Sequence, residues 1–264
     1  MTVWLDGAIV PRERAALSID DPGVRWGEGL FETMRARDGA VPLIERHLDR
    51  LERSAEELGL APMPERERVR SAVAEALAAA GGGDRRVRVT ATPRPTLLVE
   101  VTREDAVPVS ELVARAISVR GAWSPSNVVA RSKSLSYEGP RRAQRLAEAA
   151  GTHHALLLDA DGRLGEAALC SAFAVIDGTL VTAPADGLLP GIARGLVMDA
   201  LPVRERAARE AQWRGASEII LTNAVAGATA VVEVDGVPVG DRRPGPWSYE
   251  VGEVLRAALG GDLP

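Results

Sequence analysis

The stretch HALLLDADGRLGEAALCSAFAVIDGTLVT, running from His154 to Thr182, decides the fold class. It reads as apolar runs at His154 to Leu158, Leu169 to Ile176 and Leu180 to Thr182, broken by Asp161-Gly162 and Asp177-Gly178. An Asp-Gly pair between apolar or alternating segments is the strongest short-range hairpin signal, because tight two-residue turns need φ > 0 at both central positions. The same pair recurs at Asp6-Gly7, Asp38-Gly39 and Asp235-Gly236, so much of the sheet is expected to be antiparallel.

Helical periodicity lies between these turns. Ile44 to Leu58 places Leu48, Leu51, Ala55 and Leu58 on one face, and Glu65 to Ala79 does the same with Val69, Val73 and Leu77. Strands follow at Arg86 to Thr92, Thr96 to Val101 and Leu112 to Arg120, closing an N-terminal α+β domain over residues 1–120. Gly121-Ala122-Trp123-Ser124-Pro125-Ser126-Asn127 has the composition of a linker. Residues 128–264 then form a second domain, with helices at Gly139 to Ala149, from Ile192, and at Trp247 to Leu259, and strands at Glu218 to Thr222 and Thr229 to Glu233. The expected class is α+β in two domains, a smaller α/β sandwich followed by a larger mixed, barrel-like sheet.

Composition excludes several functions. No apolar run nears the roughly 20 residues that span a bilayer. The start, Met1-Thr2-Val3-Trp4-Leu5-Asp6, has none of the marks of a secretory signal, so a cytoplasmic location is expected. One cysteine, Cys170, and three histidines argue against disulfides and a structural zinc site. A net charge of -5 provides no basic field for nucleic acid.

The 32 basic residues include a single lysine, Lys133. Arginine replaces lysine wherever only positive charge is needed, but not where an amine must lose its proton and attack a carbonyl. Lys133 lies in Arg131-Ser132-Lys133-Ser134-Leu135-Ser136-Tyr137, just past the linker, and is a candidate for imine formation with an aldehyde. Chance survival of one lysine is the alternative. Tyr137, four residues on, could hydrogen-bond a bound ring or simply pack. Glu166 sits among small and apolar residues ahead of a buried strand; a pyridinium nitrogen would serve as its partner, and so would an arginine. Leu189-Pro190-Gly191-Ile192-Ala193-Arg194 runs from a turn into a helix, whose free amides could hold a phosphate. Arg50 or Arg46 could add counter-charge.

Together these segments resemble the fold-type IV pyridoxal 5'-phosphate (PLP) enzymes, the class IV aminotransferase family with its branched-chain, D-amino-acid and aminodeoxychorismate lyase members. The resemblance rests on Gly27-Glu28-Gly29-Leu30-Phe31-Glu32-Thr33-Met34-Arg35, His47-Leu48-Asp49-Arg50-Leu51, Lys133 with Tyr137, Ala155 to Glu166, Leu189-Pro190-Gly191-Ile192 and Leu221-Thr222-Asn223-Ala224, in that order. It implies that Lys133 bonds to PLP and shuttles the substrate proton, Glu166 pairs with the ring nitrogen and Tyr137 contacts the ring hydroxyl. Arg50 and the amides of Ile192 and Ala193, with Ala224, hold the phosphate. It further implies small amino and keto acids as substrates and a homodimer.

Four residues, Trp26, Phe31, Arg88 and Arg94, are the substrate-binding candidates. Trp26 stands where branched-chain enzymes carry tyrosine, and Arg88 where they carry arginine. The chain also departs from the family. Ala193 and Ala224 replace threonines, Ser171 replaces an asparagine, and Thr92-Pro93-Arg94-Pro95 shortens a loop. The expected activity is amino transfer; aminodeoxychorismate lyase and a non-catalytic PLP-binding protein are the alternatives.

Overall fold

Four of the six Asp-Gly pairs turn the chain with both residues at positive φ: Asp6 and Gly7 (46° and 105°), Asp38 and Gly39 (47° and 83°), Asp177 and Gly178 (49° and 74°), and Asp235 and Gly236 (52° and 77°). Asp161-Gly162 and Asp186-Gly187 differ, since only their glycines, at 79° and 66°, are left-handed. The computed structural model describes residues 1–104 and 113–260. The chain forms two units, Met1–Ala106 with Ser132–Ser136, and Val107–Arg131 with Tyr137–Pro264.

In the first unit, β1 (Thr2–Leu5), β2 (Ala8–Val10), β3 (Leu30–Ala36), β4 (Arg85–Ala91) and β5 (Leu97–Arg103) form an antiparallel sheet in the order β2-β1-β5-β4-β3. A short helix, α1 (Pro22–Trp26), precedes β3, and α2 (Ile44–Leu58) and α3 (Arg66–Ala80) follow it. Alternation sets the two faces. Leu30, Met34 and Ala36 join Val87, Val89, Val99 and Val101 in one core with Leu48, Leu51, Val69, Val73 and Leu77 of the helices. Phe31, Thr33, Arg88 and Glu100 belong to the other set of positions, Thr33 opposite Arg88 and Arg88 opposite Glu100. α2 stops at Gly59, whose φ of 63° closes the helix in the left-handed conformation.

In the second unit, β6 (Val113–Arg120), β7 (His154–Leu158), β8 (Leu164–Ala167), β9 (Ser171–Ile176), β10 (Thr179–Thr182), β11 (Val203–Glu205), β12 (Glu218–Asn223) and β13 (Gly227–Val234) follow the order β11-β10-β9-β12-β13-β6-β7-β8, with β14 (Val237–Pro238) paired to β13. The sheet is mixed: β6 runs parallel to both β13 and β7, and β10 parallel to β11. Terminal strand β8 passes into mid-sheet β9 through three residues, with a bridge between Ala167 and Cys170. So short a link requires the sheet to curl, as the barrel-like expectation has it. Helices α4 (Glu138–Ala149), α5 (Ile192–Ala200), α6 (Glu210–Arg214) and α7 (Pro246–Ala258) complete the unit.

Three boundaries differ from the sequence reading. The strand expected to close the first domain at Leu112 to Arg120 is β6 of the second sheet; Leu112 itself lies outside the described residues. The predicted linker 121–127 lies within the second unit. Trp123 is 8% exposed, joins a core cluster with Leu157 and Ala147, and donates its indole N–H to the Asp186 carbonyl at 3.3 Å. Residues 132–136, Lys133 included, group with the first unit rather than with 128–264. Composition marks loop-like residues, but strand partners and burial decide where a segment belongs.

Glu218 opens β12 and anchors α7. Its carboxylate accepts from the backbone N–H of Gly245, Trp247 and Ser248 and from the Ser248 hydroxyl, at 2.6 to 3.1 Å. These amides have no partner inside α7. Glu218→Ala is therefore expected to lower stability by about 2 kcal/mol, read as a reduced urea midpoint at unchanged slope. An unchanged midpoint would show that the helix start does not depend on this carboxylate.

Candidate active site

Lys133 is fixed through its backbone. Its carbonyl accepts from the Phe31 N–H at 2.8 Å, Ser134 bridges Leu30, and the Leu135 N–H donates to the Gly29 carbonyl at 2.9 Å. Residues 132–136 thus run beside the start of edge strand β3. The approach is close: Gly29 has φ 158°, and a Cβ there would lie 2.7 Å from the Ala91 carbonyl and 2.8 Å from the Leu135 side chain. Asp21, fully buried, steadies this corner by capping α1 at Gly23 and accepting from the hydroxyls of Thr92 and Thr96.

The Lys133 ammonium stands over the Phe31 ring, 4.3 Å from its centroid, and the Arg88 guanidinium stands 3.9 Å from the same centroid. Arg88 also lies 3.8 Å from Glu100. An aromatic face thereby gathers the amine and one cation suited to a carboxylate. Trp26 is 62% exposed, with the Arg25 guanidinium over its ring. Arg94, also exposed, donates to Ser18 Oγ at 2.6 Å. Neither of these contacts brings its residue to Phe31.

The sequence reading missed a buried group on the opposite face of β3. Glu32, His47 and Arg50 are 2%, 1% and 6% exposed. Arg50 donates from Nε to Glu32 Oε1 at 2.8 Å and from Nη2 to Oε2 at 2.6 Å, and His47 Nδ1 lies 2.7 Å from Oε2. Burial raises the Glu32 pKa, but the charge and hydrogen bonds of Arg50, with those of His47, outweigh it and hold the carboxyl down at about 2. For His47 burial wins over the neighbouring carboxylate, and Arg50 and Lys133 add to the lowering. A neutral imidazole facing a carboxylate donates from Nδ1. The signal was present: a carboxylate between Phe31 and Thr33 in a strand buried on both faces, and His47 and Arg50 one turn apart on the apolar side of α2.

The second unit holds the remaining candidates. Tyr137 precedes α4 and donates its hydroxyl to the Ala168 carbonyl at 3.2 Å. Glu166 is half-buried, opposite Leu157, and lies inside β8 rather than ahead of a strand. Ile192 and Ala193 are the first residues of α5, which opens at Gly191 without a side-chain cap. Ala224 lies in the β12–β13 turn, where Asn223 Oδ1 accepts from the N–H of Val225 and Ala226.

Residues 29–234 match the amino-transferase class IV family. The chain is 28% identical to branched-chain-amino-acid aminotransferase-like protein 1 of Arabidopsis thaliana over 93% of its length, but spans only 48% of that relative. It is 25% identical to a D-alanine aminotransferase of Listeria monocytogenes, over 97% of both chains. Among solved structures, the branched-chain aminotransferase of the thermophilic archaeon Thermoproteus uzoniensis with norvaline superposes with a TM-score of 0.87 at 27% identity, over 99% of this chain and 96% of the other. The order of motifs, the two sheets and the extent of these matches make this chain a member of the class IV aminotransferase family.

Proposed function

We propose that this protein is a PLP-dependent aminotransferase that moves an amino group between a small amino acid and a keto acid. The observation that carries this reading is the only lysine of the chain, pinned to β3 and poised with Arg88 over the Phe31 ring. The residue types would suit the cofactor in the roles the resemblance implies: an amine for its aldehyde, Glu166 for its ring nitrogen, Tyr137 for its ring hydroxyl, and, for its phosphate, Arg50, which Glu32 holds in place, and the uncapped α5 amides of Ile192 and Ala193 with Ala224.

When bound, PLP supplies an electron sink for the charge left on the substrate α-carbon. Lys133 Nζ, in its neutral form, would take the α-proton of the substrate and later give it back. Glu166 keeps the ring nitrogen protonated. Arg88 receives the substrate carboxylate, and Phe31 excludes water from the Lys133 amine. A cytoplasmic homodimer completes the proposal. Among the described residues, no helix is long and apolar enough to cross a membrane.

The test is a half-reaction. Holoenzyme mixed with branched-chain L-amino acids, D-alanine or L-glutamate should lose its visible absorbance as the pyridoxamine form accumulates, and a keto acid should restore it. Release of pyruvate and 4-aminobenzoate from aminodeoxychorismate, without any donor-driven change, would replace this reading with the lyase. Colour without turnover would leave a non-catalytic binding protein.

A further inference from the structure

Ala193 and Ala224 place no hydroxyl at the two positions where the family resemblance leads one to expect threonines, yet a hydroxyl is present close by. Ser171 and Thr222 pair directly across β9 and β12, so their side chains leave the sheet on the same face. Neighbours identify that face. Ala172, Ala174, Ile176, Ile219 and Leu221 alternate with them and fill the core on the other side. Glu218, in phase with Thr222, reaches α7. A Cβ built on Gly191 would collide with Ser171 Oγ, so this hydroxyl lies against the residue that opens α5. Thr222 therefore points toward the start of α5. It is 2% exposed, and its Oγ1 has no hydrogen-bond partner among the described residues. A buried hydroxyl without a partner is costly, and the uncapped amides beside it favour an anion.

We propose that Thr222 Oγ1 donates to the phosphate of the cofactor and supplies the contact that Ala193 and Ala224 cannot make. Gly191, lacking a Cβ, leaves the room that Ser171 occupies beside it. This rests on the placement of the phosphate at α5 given above, and the ligand chemistry is a phosphomonoester.

The full chain, stripped of cofactor, is titrated with PLP and with pyridoxal, which lacks the phosphate, and the change in visible absorbance gives each Kd. Thr222→Val is expected to raise the Kd for PLP about tenfold, as for one hydrogen bond to a charged group, and to leave that for pyridoxal unchanged. Thr222→Ser should restore PLP binding, and the thermal midpoint of the cofactor-free variants shows that each is folded. Ala193→Asp, which puts a negative charge at the same helix start, should weaken PLP and spare pyridoxal. If Thr222→Val binds PLP as tightly as the parent while Ala193→Asp weakens it, the role of Thr222 is overturned and the phosphate placement stands. If Ala193→Asp also has no effect, the placement falls and the proposal with it. An equal loss for both ligands in Thr222→Val would mark Thr222 as structural and likewise overturn the proposal.

Discussion

Lys133→Ala should leave a folded protein that has lost its half-reaction with every amino donor, by at least about 10³-fold. The fold is expected to survive because Lys133 is held by its backbone: the carbonyl that accepts from Phe31 is present in any residue. What alanine removes is the amine above the Phe31 ring. Lys133→Arg separates chemistry from charge. Guanidinium keeps a cation over the ring but does not give up its proton, so the arginine variant should be as inactive as the alanine one. Single-turnover absorbance after rapid mixing reads both. Substantial activity in either variant, or visible cofactor colour in Lys133→Ala identical to the parent's, would remove Lys133 from the reaction.

The second large effect concerns stability. Glu32→Ala should destabilise the fold by about 3–5 kcal/mol, because it leaves Arg50 buried without its carboxylate. A loss of stability below about 1 kcal/mol, read from the urea midpoint at unchanged slope, would show that Arg50 does not depend on Glu32. Acid acts on the same group. The folded Glu32 pKa of about 2 lies below its ordinary 4.5, so its contribution is complete above 4.5 and lost as pH falls toward 2. The size is about 3 kcal/mol, at 1.36 kcal/mol per unit. His47 is also depressed from 6.5, so its contribution is present above 6.5 and begins to drain as pH falls below it. The denaturation midpoint should be level near neutrality, decline from 6.5 downward and fall more steeply below 4.5. Glu32→Gln should lose the lower limb and keep the upper one; a parent protein whose midpoint is flat from pH 7 to 3 would contradict the assignment.

Local chemistry was legible in the sequence. The Asp-Gly turns and the amphipathic faces of α2 and α3 depend on a few neighbouring residues, and α2 spans the predicted Ile44 to Leu58. What escaped was set by distant partners. β3 is buried at six of its seven positions and shows no alternation to read. β6 does alternate, but nothing in Val113 to Arg120 says that its neighbours are β13 and β7 in parallel. The candidate site divides the same way. Lys133 stands out as a residue type, but nothing in the sequence says that it shares the Phe31 ring with Arg88, and only strand register places Arg88 and Glu32 on opposite faces of one sheet. Trp26 is a candidate by its aligned position and Arg94 as a cation in the shortened loop, and the structure gives them other company.

Residues 132–136 group with a unit whose remaining residues end at 106, and the chain on either side of them belongs to the other unit. A single crossover between genes therefore cannot exchange either unit whole. A recombinant joined between 107 and 131 would draw its β3 from one parent and the segment bearing the lysine from the other. The Leu30–Ser134 bridge and the close fit at Gly29 would then have to be compatible across lineages. Each unit is compact in itself, yet neither is a continuous stretch of the gene.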